Sequence, residues 1–207
     1  MKTLNLSFET VGSIAAMFIG VCALFVTWDQ AQIMRKQQHA AVLPVLTVDV
    51  SMSSAGDAHA FAVTLHNEGV GPAMVQSAAM TVEGQTIETW GDFAAAFLPT
   101  PLATPANASI GTSRGVIAAG EDETVLRLIW PQTPVHDAAF RMLTKRIFGP
   151  TGANSTFVVC YCSVFDRCWE IGGKSEQDQP QKVPRCVDQG RDVTERLLTT
   201  RALTTPG

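Results

Sequence analysis

The chain has 207 residues, 46% of them hydrophobic and 16% charged, so it is long and apolar enough to bury one sizeable core. Its formal net charge of −4 gives no general attraction for polyanions, which argues against nucleic acid as a partner. The five cysteines are unevenly placed, with Cys22 near the N-terminus and the other four in the last quarter of the chain.

The first predicted element is a membrane-spanning helix at residues 10–28, a run of nineteen uncharged residues between Glu9 and Asp29. As a helix this run is about 28 Å long, close to the thickness of the hydrocarbon core of a bilayer. No small-x-small cleavage site follows it directly. We therefore interpret the segment as an uncleaved anchor that follows a short N-terminal tail, residues 1–9.

One face of this helix carries a small residue at every fourth position, namely Gly12, Ala16 and Gly20. Small side chains allow two helix backbones to approach closely in a membrane, so this face is a candidate contact with another membrane helix. The following segment, 29–43, contains no glycine or proline, and it predicts a helical stalk that ends at Pro44.

From residue 44 onward the hydrophobic pattern has a period of two, which is typical of half-buried strands. The predicted strands lie at 45–50, 59–67, 73–82, 124–130 and 155–165. Two predicted helices, 90–98 and 133–149, interrupt these strands, and the proline-rich segment 99–105 is expected to be a surface loop. The sequence thus predicts a domain at 44–172, followed by a loose tail at 173–207 that Cys186 ties down.

The connection between the second and third strands reads Leu-His-Asn-Glu-Gly-Val-Gly-Pro-Ala over residues 65–73. Its two glycines are expected to adopt positive φ angles, and the proline ends the strand pairing. A strand that ends in Asn, a Gly-rich turn and a small residue that opens the next strand resemble immunoglobulin-type sandwiches such as the bacterial cell-adhesion-related domain.

The whole layout, with an anchor, a Gln-rich stalk, this turn and a later Cys-Tyr-Cys-Ser strand, is also similar to that of bacterial membrane-anchored proteins with no assigned activity. The resemblance implies a mainly β, immunoglobulin-like sandwich with two helical insertions. It also implies that four turn residues are structural, and these are Asn67, Gly69, Gly71 and Pro72.

The cysteines of the domain form an even set, which favours two disulfides in an oxidising compartment. Cys160 and Cys162 lie on the same face of one strand, too far apart for easy bridging. Two pairings stay open: Cys160–Cys168 with Cys162–Cys186, or Cys160–Cys186 with Cys162–Cys168. A zinc site is the rival interpretation, but the spacing C-x-C-x5-C-x17-C lacks the two-residue gap of common zinc knuckles. We expect no resident metal or cofactor.

One short motif matches a catalytic pattern. Residues 111–115 read Gly-Thr-Ser-Arg-Gly, the pattern of a hydrolase nucleophile elbow, which would make Ser113 the nucleophile, with His136 as the only histidine downstream. A nucleophile elbow joins a strand to a helix, whereas this segment is predicted to be loop and strand. The sequence therefore favours a protein that is not an enzyme.

These observations predict a single-pass protein of the bacterial inner membrane. Disulfides favour a periplasmic C-terminal domain, although the charges on either side of the span are too evenly matched to decide the orientation. The expected function is to display the sandwich at the membrane surface for interaction with another membrane or envelope protein. The alternatives are an anchored hydrolase or thiol redox enzyme, and a cytoplasm-facing thiol or zinc sensor. The sequence predicts no oligomeric state.

Overall fold

The computed structural model describes residues 8–111, 114–149, 155–172, 179–187 and 193–204, with side chains described from Gly12 to Arg201 within these ranges. The chain divides into two compact units, Met1–Ala41 and Val42–Gly207.

The first unit is a single α-helix, α1, which spans Phe8–Ala41. It joins the predicted anchor and most of the predicted stalk in 34 residues, a length of about 50 Å at 1.5 Å per residue. No proline interrupts it. Several bulky apolar side chains are exposed, among them Met17, Phe18, Leu24 and Phe25. Because α1 is long and apolar enough to cross a bilayer, it is a candidate membrane anchor.

The second unit is mainly β. Its strands are β1 Leu46–Ala55, β2 Ala58–Asn67, β3 Ala73–Val82, β4 Gln85–Thr86, β5 Asn107–Ile110, β6 Gly115–Ile117, β7 Asp122–Pro131, β8 Ser155–Cys162, β9 Cys168–Ile171 and β10 Gln181–Val183. Its helices are α2 Trp90–Phe97, a 3-10 helix Thr100–Leu102, α3 Pro134–Phe148 and α4 Val193–Thr204.

The strands form two sheets in which every pairing is antiparallel. Sheet A has the order β1-β2-β7-β5. Sheet B has the order β10-β9-β8-β3-β4, and β6 also pairs with β3. The chain crosses between the sheets several times, because β3, β4 and β6 belong to sheet B while β5 and β7 belong to sheet A. These crossings bring strands that are distant in the sequence into contact.

The core lies between the two sheets. Buried and half-buried residues alternate along all of β2, which confirms the period of two expected at 59–67. Phe61 and Leu65 of sheet A are fully buried, as are Val159 and Tyr161 of sheet B, and all four belong to one apolar cluster. The inner faces of the two sheets therefore bury one another.

Both predicted helical insertions are confirmed, and each begins at a threonine cap. Thr89 Oγ1 accepts a hydrogen bond from the Asp92 backbone N–H, and the Asp92 carboxylate accepts one from the Thr89 N–H, so α2 has a complete capping box. At α3 the cap is a single hydrogen bond, which Thr133 Oγ1 accepts from the backbone N–H of His136, and Gly149 ends that helix.

The segment at 99–105 is not the surface loop that its prolines suggest. It contains the 3-10 helix, and Leu102 within that helix is fully buried. The Trp130 indole Nε1–H donates a hydrogen bond to the Leu102 carbonyl oxygen at 3.0 Å. A buried tryptophan needs such an acceptor, and this requirement draws the segment into the core.

The described parts of the C-terminal segment, 179–187 and 193–204, form a strand and a helix. β10 extends sheet B by pairing with β9, and α4 buries Val193 and Leu197 in the core. The Trp90 N–H donates to Thr200 Oγ1 at 2.8 Å, and the Arg201 guanidinium donates to the Ala108 carbonyl at 2.9 Å. α4 therefore contributes to the core of the domain, although it lies beyond the predicted domain end at residue 172.

Candidate functional site

The outer edge of β1 is the longest strand edge without a neighbouring strand in the part of the chain that the structure describes. β1 has ten residues, pairs only with β2 and forms one edge of sheet A. The Glu68 N–H donates to the Val45 carbonyl at 2.9 Å, so the backbone groups of odd-numbered residues point towards β2. Along a strand, the backbone N–H and C=O groups of successive residues point to opposite sides. The even-numbered residues of β1 therefore direct their N–H and C=O groups outward, away from β2. These residues are Leu46, Val48, Val50, Met52 and Ser54.

Four of these even-numbered residues, Leu46, Val48, Val50 and Met52, direct their side chains to the core. Val48 and Val50 among them line an apolar crevice of about 280 Å³ between the sheets. Sheet A contributes Val48 and Val50 to the lining, and sheet B contributes Met80 and Phe157. These four side chains are only half-buried, whereas the residues deeper in the core are fully buried. The crevice therefore leaves apolar surface accessible next to unpaired backbone groups, a combination that native sheets usually avoid.

The beginning of β1 is fixed by two buried polar side chains. Tyr161 is fully buried, and its hydroxyl oxygen accepts a hydrogen bond from the Leu46 N–H at 3.3 Å. Burial raises the pKa of Tyr161 above its usual value of 10.0, and the hydrogen bond from Leu46 opposes part of that rise. The Tyr161 hydroxyl therefore pairs with the first outward N–H of β1, that of Leu46. The outward backbone groups of the later residues stay open.

Asn67 is the second of these side chains, and it is 1% exposed. Its Oδ1 accepts hydrogen bonds from the backbone N–H groups of Val45 and Gly69, at 3.3 and 3.1 Å. Its Nδ2 donates at 2.9 to 3.1 Å to three carbonyl oxygens, those of Gly71, Ile117 and Ala118. One amide thus joins the start of β1, the Gly-rich turn and the end of β6, which is a structural role.

Gly69 and Gly71 are required for a reason other than the one predicted. Neither has a positive φ; a side chain at Gly69 would instead collide with the Leu43 carbonyl oxygen, and one at Gly71 with that of Val42. The absence of a Cβ allows the turn to pack directly against the backbone before β1. The turn residues therefore hold β1 in position and leave no room for a ligand there.

The far end of β1 carries a Ser-His-Asp arrangement that the sequence did not reveal. Ser54 Oγ lies 2.7 Å from His59 Nδ1, and His59 Nε2 lies 2.7 Å from Asp137 Oδ1. The histidine is buried and stacks on Phe140, whereas the Asp137 side chain is 38% exposed. In a catalytic triad the acid is buried and the nucleophile is presented by a turn. Here Ser54 lies within a strand, so the arrangement ties α3 to sheet A.

Sequence reasoning missed this arrangement because Asp137 is 78 residues away from His59 in the chain. Ser54 and His59 are opposite each other across the β1–β2 hairpin, a pairing that the Gly56 turn would have predicted. Asp137 reaches them only because α3 packs over that end of the sheet, and the periodicity of α3 does not specify its place in the fold.

The four domain cysteines come together on sheet B as two disulfides, Cys160–Cys186 and Cys162–Cys168. This is the second of the two pairings that the sequence left open. Cys162 and Cys168 are opposite each other across the β8–β9 hairpin. Three of the sulfur atoms, those of Cys162, Cys168 and Cys186, lie within 4.8 Å of one another. As disulfides they carry no thiolate charge, so the oxidised cluster is not a zinc ligand set.

A cleft of about 490 Å³ lies beside the disulfides. Its lining combines the sulfur-bearing residues with charged side chains from three segments, Arg114, Asp166 and Arg185. Gln76 also lines it, at a bulge where the register of β3 against β8 shifts between Val75 and Ser77. The cleft therefore places charged and polar side chains next to the disulfide cluster.

The remaining predicted site residues lie apart from these features. Gly12, Ala16 and Gly20 occupy one face of α1, and their contact with another helix stays a prediction. Cys22 is exposed on the same helix and is unpaired. Ser113 lies outside the described residues, but its flanking elements are the strands β5 and β6 and not the strand and helix of a nucleophile elbow.

No protein-family model matches the chain, and no curated protein matches it either.

Proposed function

We propose that this chain is a membrane-anchored binding protein that captures an extended segment of another membrane or envelope protein along the outer edge of β1. The observation that carries the proposal is the juxtaposition of unpaired backbone groups and an apolar crevice at one strand. Strand addition needs both features, because main-chain hydrogen bonds supply affinity and pockets for alternate side chains supply specificity.

The crevice defines the chemistry of the captured segment. An added strand pairs its backbone with the outward groups of Val48, Val50 and Met52, and every second side chain then faces the crevice. Because the lining is mainly apolar, those alternate residues are aliphatic or aromatic. Asp49 is the only charged residue of β1. The charges of β1 therefore favour few particular residues in the added strand.

The location follows from α1 and the cysteines. We propose that α1 crosses the bacterial inner membrane once and that the β domain lies in the periplasm, because disulfides persist in oxidising compartments. We also propose an immunoglobulin-like topology for the domain. Two antiparallel sheets and repeated crossings between them support this assignment.

A pair of substitutions at Val50 tests strand capture. Val50→Pro removes an outward N–H that makes no bond to β2, so the edge strand tolerates it, whereas Val50→Ala removes the same side chain but keeps the N–H. The probe is a set of synthetic ten-residue peptides with alternating valine and threonine in both phases. Binding to the full-length protein in detergent is measured by fluorescence anisotropy.

We expect the proline variant to bind the best peptide at least tenfold more weakly than the alanine variant does. Amide hydrogen exchange should show new protection at Val48, Val50 and Met52 when the peptide binds. Equal affinities for the two variants, or protection confined to other residues, would contradict strand addition at β1.

A further inference from the structure

The two disulfides are close enough to exchange bonds with each other. Cys162 Sγ lies 3.7 Å from Cys186 Sγ, although these two atoms belong to different disulfides. This is the separation of two sulfur atoms in van der Waals contact. A thiolate formed at Cys162 would therefore meet a disulfide sulfur without movement of the backbone, and such positioning raises the rate of an intramolecular step.

The cluster borders a cleft whose surroundings suit thiolate chemistry. Cys162, Cys168 and Cys186 line this 490 Å³ cleft. Cys186 is half-buried and Cys168 is 5% exposed, so an incoming thiol approaches the sulfur atoms through the cleft. Arg114 and Arg185 line the same cleft, and nearby guanidinium groups stabilise thiolates. Asp166 is the one carboxylate among the lining residues, and the cationic groups outnumber it.

We propose that the cluster is a disulfide-donor site whose substrate is a dithiol on a partner protein. The first thiolate of the partner attacks Cys168 Sγ, a bond forms between these two sulfurs, and the Cys162–Cys168 bond breaks. Its electron pair remains on Cys162, which becomes a thiolate.

The second step passes the exchange to the other disulfide. The Cys162 thiolate attacks Cys186 Sγ, the Cys162–Cys186 bond forms, and the Cys160–Cys186 bond breaks to release Cys160, which takes up a proton. The partner's second thiol gives up its proton and attacks its own sulfur in the mixed disulfide. The partner is released with an internal disulfide, and Cys168 becomes a thiol. Two electrons have then moved from the partner to this chain.

The product differs from simple reduction in its bonding pattern. It holds a Cys162–Cys186 disulfide and two thiols, Cys160 and Cys168, whereas direct reduction of the hairpin disulfide frees Cys162 and Cys168. The attachment of Cys186 also moves two residues along β8, a shift of about 6.6 Å. This inference is independent of the binding function proposed for β1.

Limited reduction followed by thiol trapping tests the proposal. The oxidised full-length protein, in detergent, is mixed with one equivalent of dithiothreitol, quenched with acid and alkylated with N-ethylmaleimide. Peptides are then mapped without further reduction, and Cys22, which is free, is the internal standard for complete alkylation.

We expect the main once-reduced species to be alkylated at Cys160 and Cys168 and to contain a linked Cys162–Cys186 peptide. Alkylation at Cys162 and Cys168 with Cys160–Cys186 intact would overturn the relay. So would reduction of Cys160–Cys186 alone, loss of both disulfides with no once-reduced species, or resistance of both to the dithiol.

Two single variants separate the relay from general reactivity. Cys168→Ser leaves Cys162 as a thiol beside Cys186, so exchange should expose Cys160 to alkylation. Cys162→Ser leaves Cys168 as the thiol and removes the relay atom. In variants whose near-ultraviolet circular dichroism matches the parent protein, we expect Cys160 to be alkylated at least tenfold faster in Cys168→Ser. Equal rates would overturn the role of Cys162.

Discussion

Each sheet of the β domain has two terminal strands, and two of these four, β1 in sheet A and β10 in sheet B, are protected to very different degrees. β10 has three residues, contains Lys182 and lies between Pro180 and Pro184, and the chain just after it is held by Cys186. β1 has ten residues, no lysine or proline and a single charge. Short length, lysine and proline are the usual means of preventing edge-to-edge association. Their presence at β10 and absence at β1 support the proposal that the β1 edge binds an added strand.

The two strands also differ in where they are fixed. Hydrogen bonds hold β1 at both ends: Asn67 and Tyr161 bind its first residues, and the Ser54–His59–Asp137 arrangement binds its last ones. The middle of β1 faces the crevice. The segment that includes β10 is fixed covalently. The following substitutions test this difference between the two strands.

Loss of the Asn67 amide should have the largest effect. Asn67→Ala leaves several buried backbone groups without partners, at roughly 1–3 kcal/mol for each one that finds no water. We expect the free energy of unfolding to fall by about 4 kcal/mol, with new solvent exchange at the start of β1. Urea unfolding measures this, with Asn107→Ala, which removes an exposed amide, as the control. A loss no larger than that of the control would show that Asn67 does not hold β1.

The two disulfides should stabilise the domain unequally. The Cys160–Cys186 bridge closes a loop with a sequence separation of 26, and Cys162–Cys168 closes one of 6. Chain entropy predicts losses of about 3.5 and about 2 kcal/mol when each pair is replaced by serine. Urea unfolding of the two double variants measures the difference. The opposite order would mean that the hairpin, and not the attachment of the segment after β10, limits stability.

Asp137→Ala tests the far end of β1. It removes the hydrogen bond to His59 and an acidic group from the first turn of α3, so we expect a loss of about 1–2 kcal/mol. Asp137→Asn keeps a hydrogen-bonding group at that position and should lose less. Equal losses for the two variants would assign the effect to the helix charge alone.

Tyr161 should give the smallest effect at neutral pH and a distinct one in alkali. Burial raises the pKa of Tyr161 in the folded chain. The stabilisation that follows from this higher pKa is complete below pH 10, where the unfolded tyrosine is still protonated. It is lost as the pH rises through the higher, folded pKa. Tyr161 is the only tyrosine, so tyrosinate absorbance reports its ionisation alone.

For Tyr161→Phe we expect a loss of about 1 kcal/mol at pH 7 and a weaker further loss of stability above pH 10. Matched alkaline unfolding curves for the two proteins would contradict the assignment.

The sequence predicted the features that depend on local pattern. The alternation along β2 and the helical segments at 90–98 and 133–149 were predicted correctly, because strand faces and helix ends are determined by neighbouring residues. The cysteine spacing restricted the disulfides to two pairings but did not choose between them. That choice depends on β10 pairing with β9, which places Cys186 next to Cys160.

The features that the sequence did not predict depend on tertiary packing. Leu102 is buried because Trp130 needs an acceptor, and α4 forms because Val193 and Leu197 fit between elements that are distant in the chain. The sequence also does not show that β1 lies at an open edge of its sheet. Alternation specifies which face of a strand is buried, but it does not specify which strands lie at the border of a sheet.

The packing of the Gly-rich turn against the backbone before β1 has a mechanical consequence. The Leu43 carbonyl accepts hydrogen bonds from the N–H groups of Val70 and Gly71, and the Val45 carbonyl accepts one from Glu68. Tension transmitted along the chain from residue 41 must therefore load this clamp before it reaches the ladder between β1 and β2. A pull on the N-terminal side would be resisted by the turn first, and the outer edge of β1 would keep its shape until the clamp ruptured.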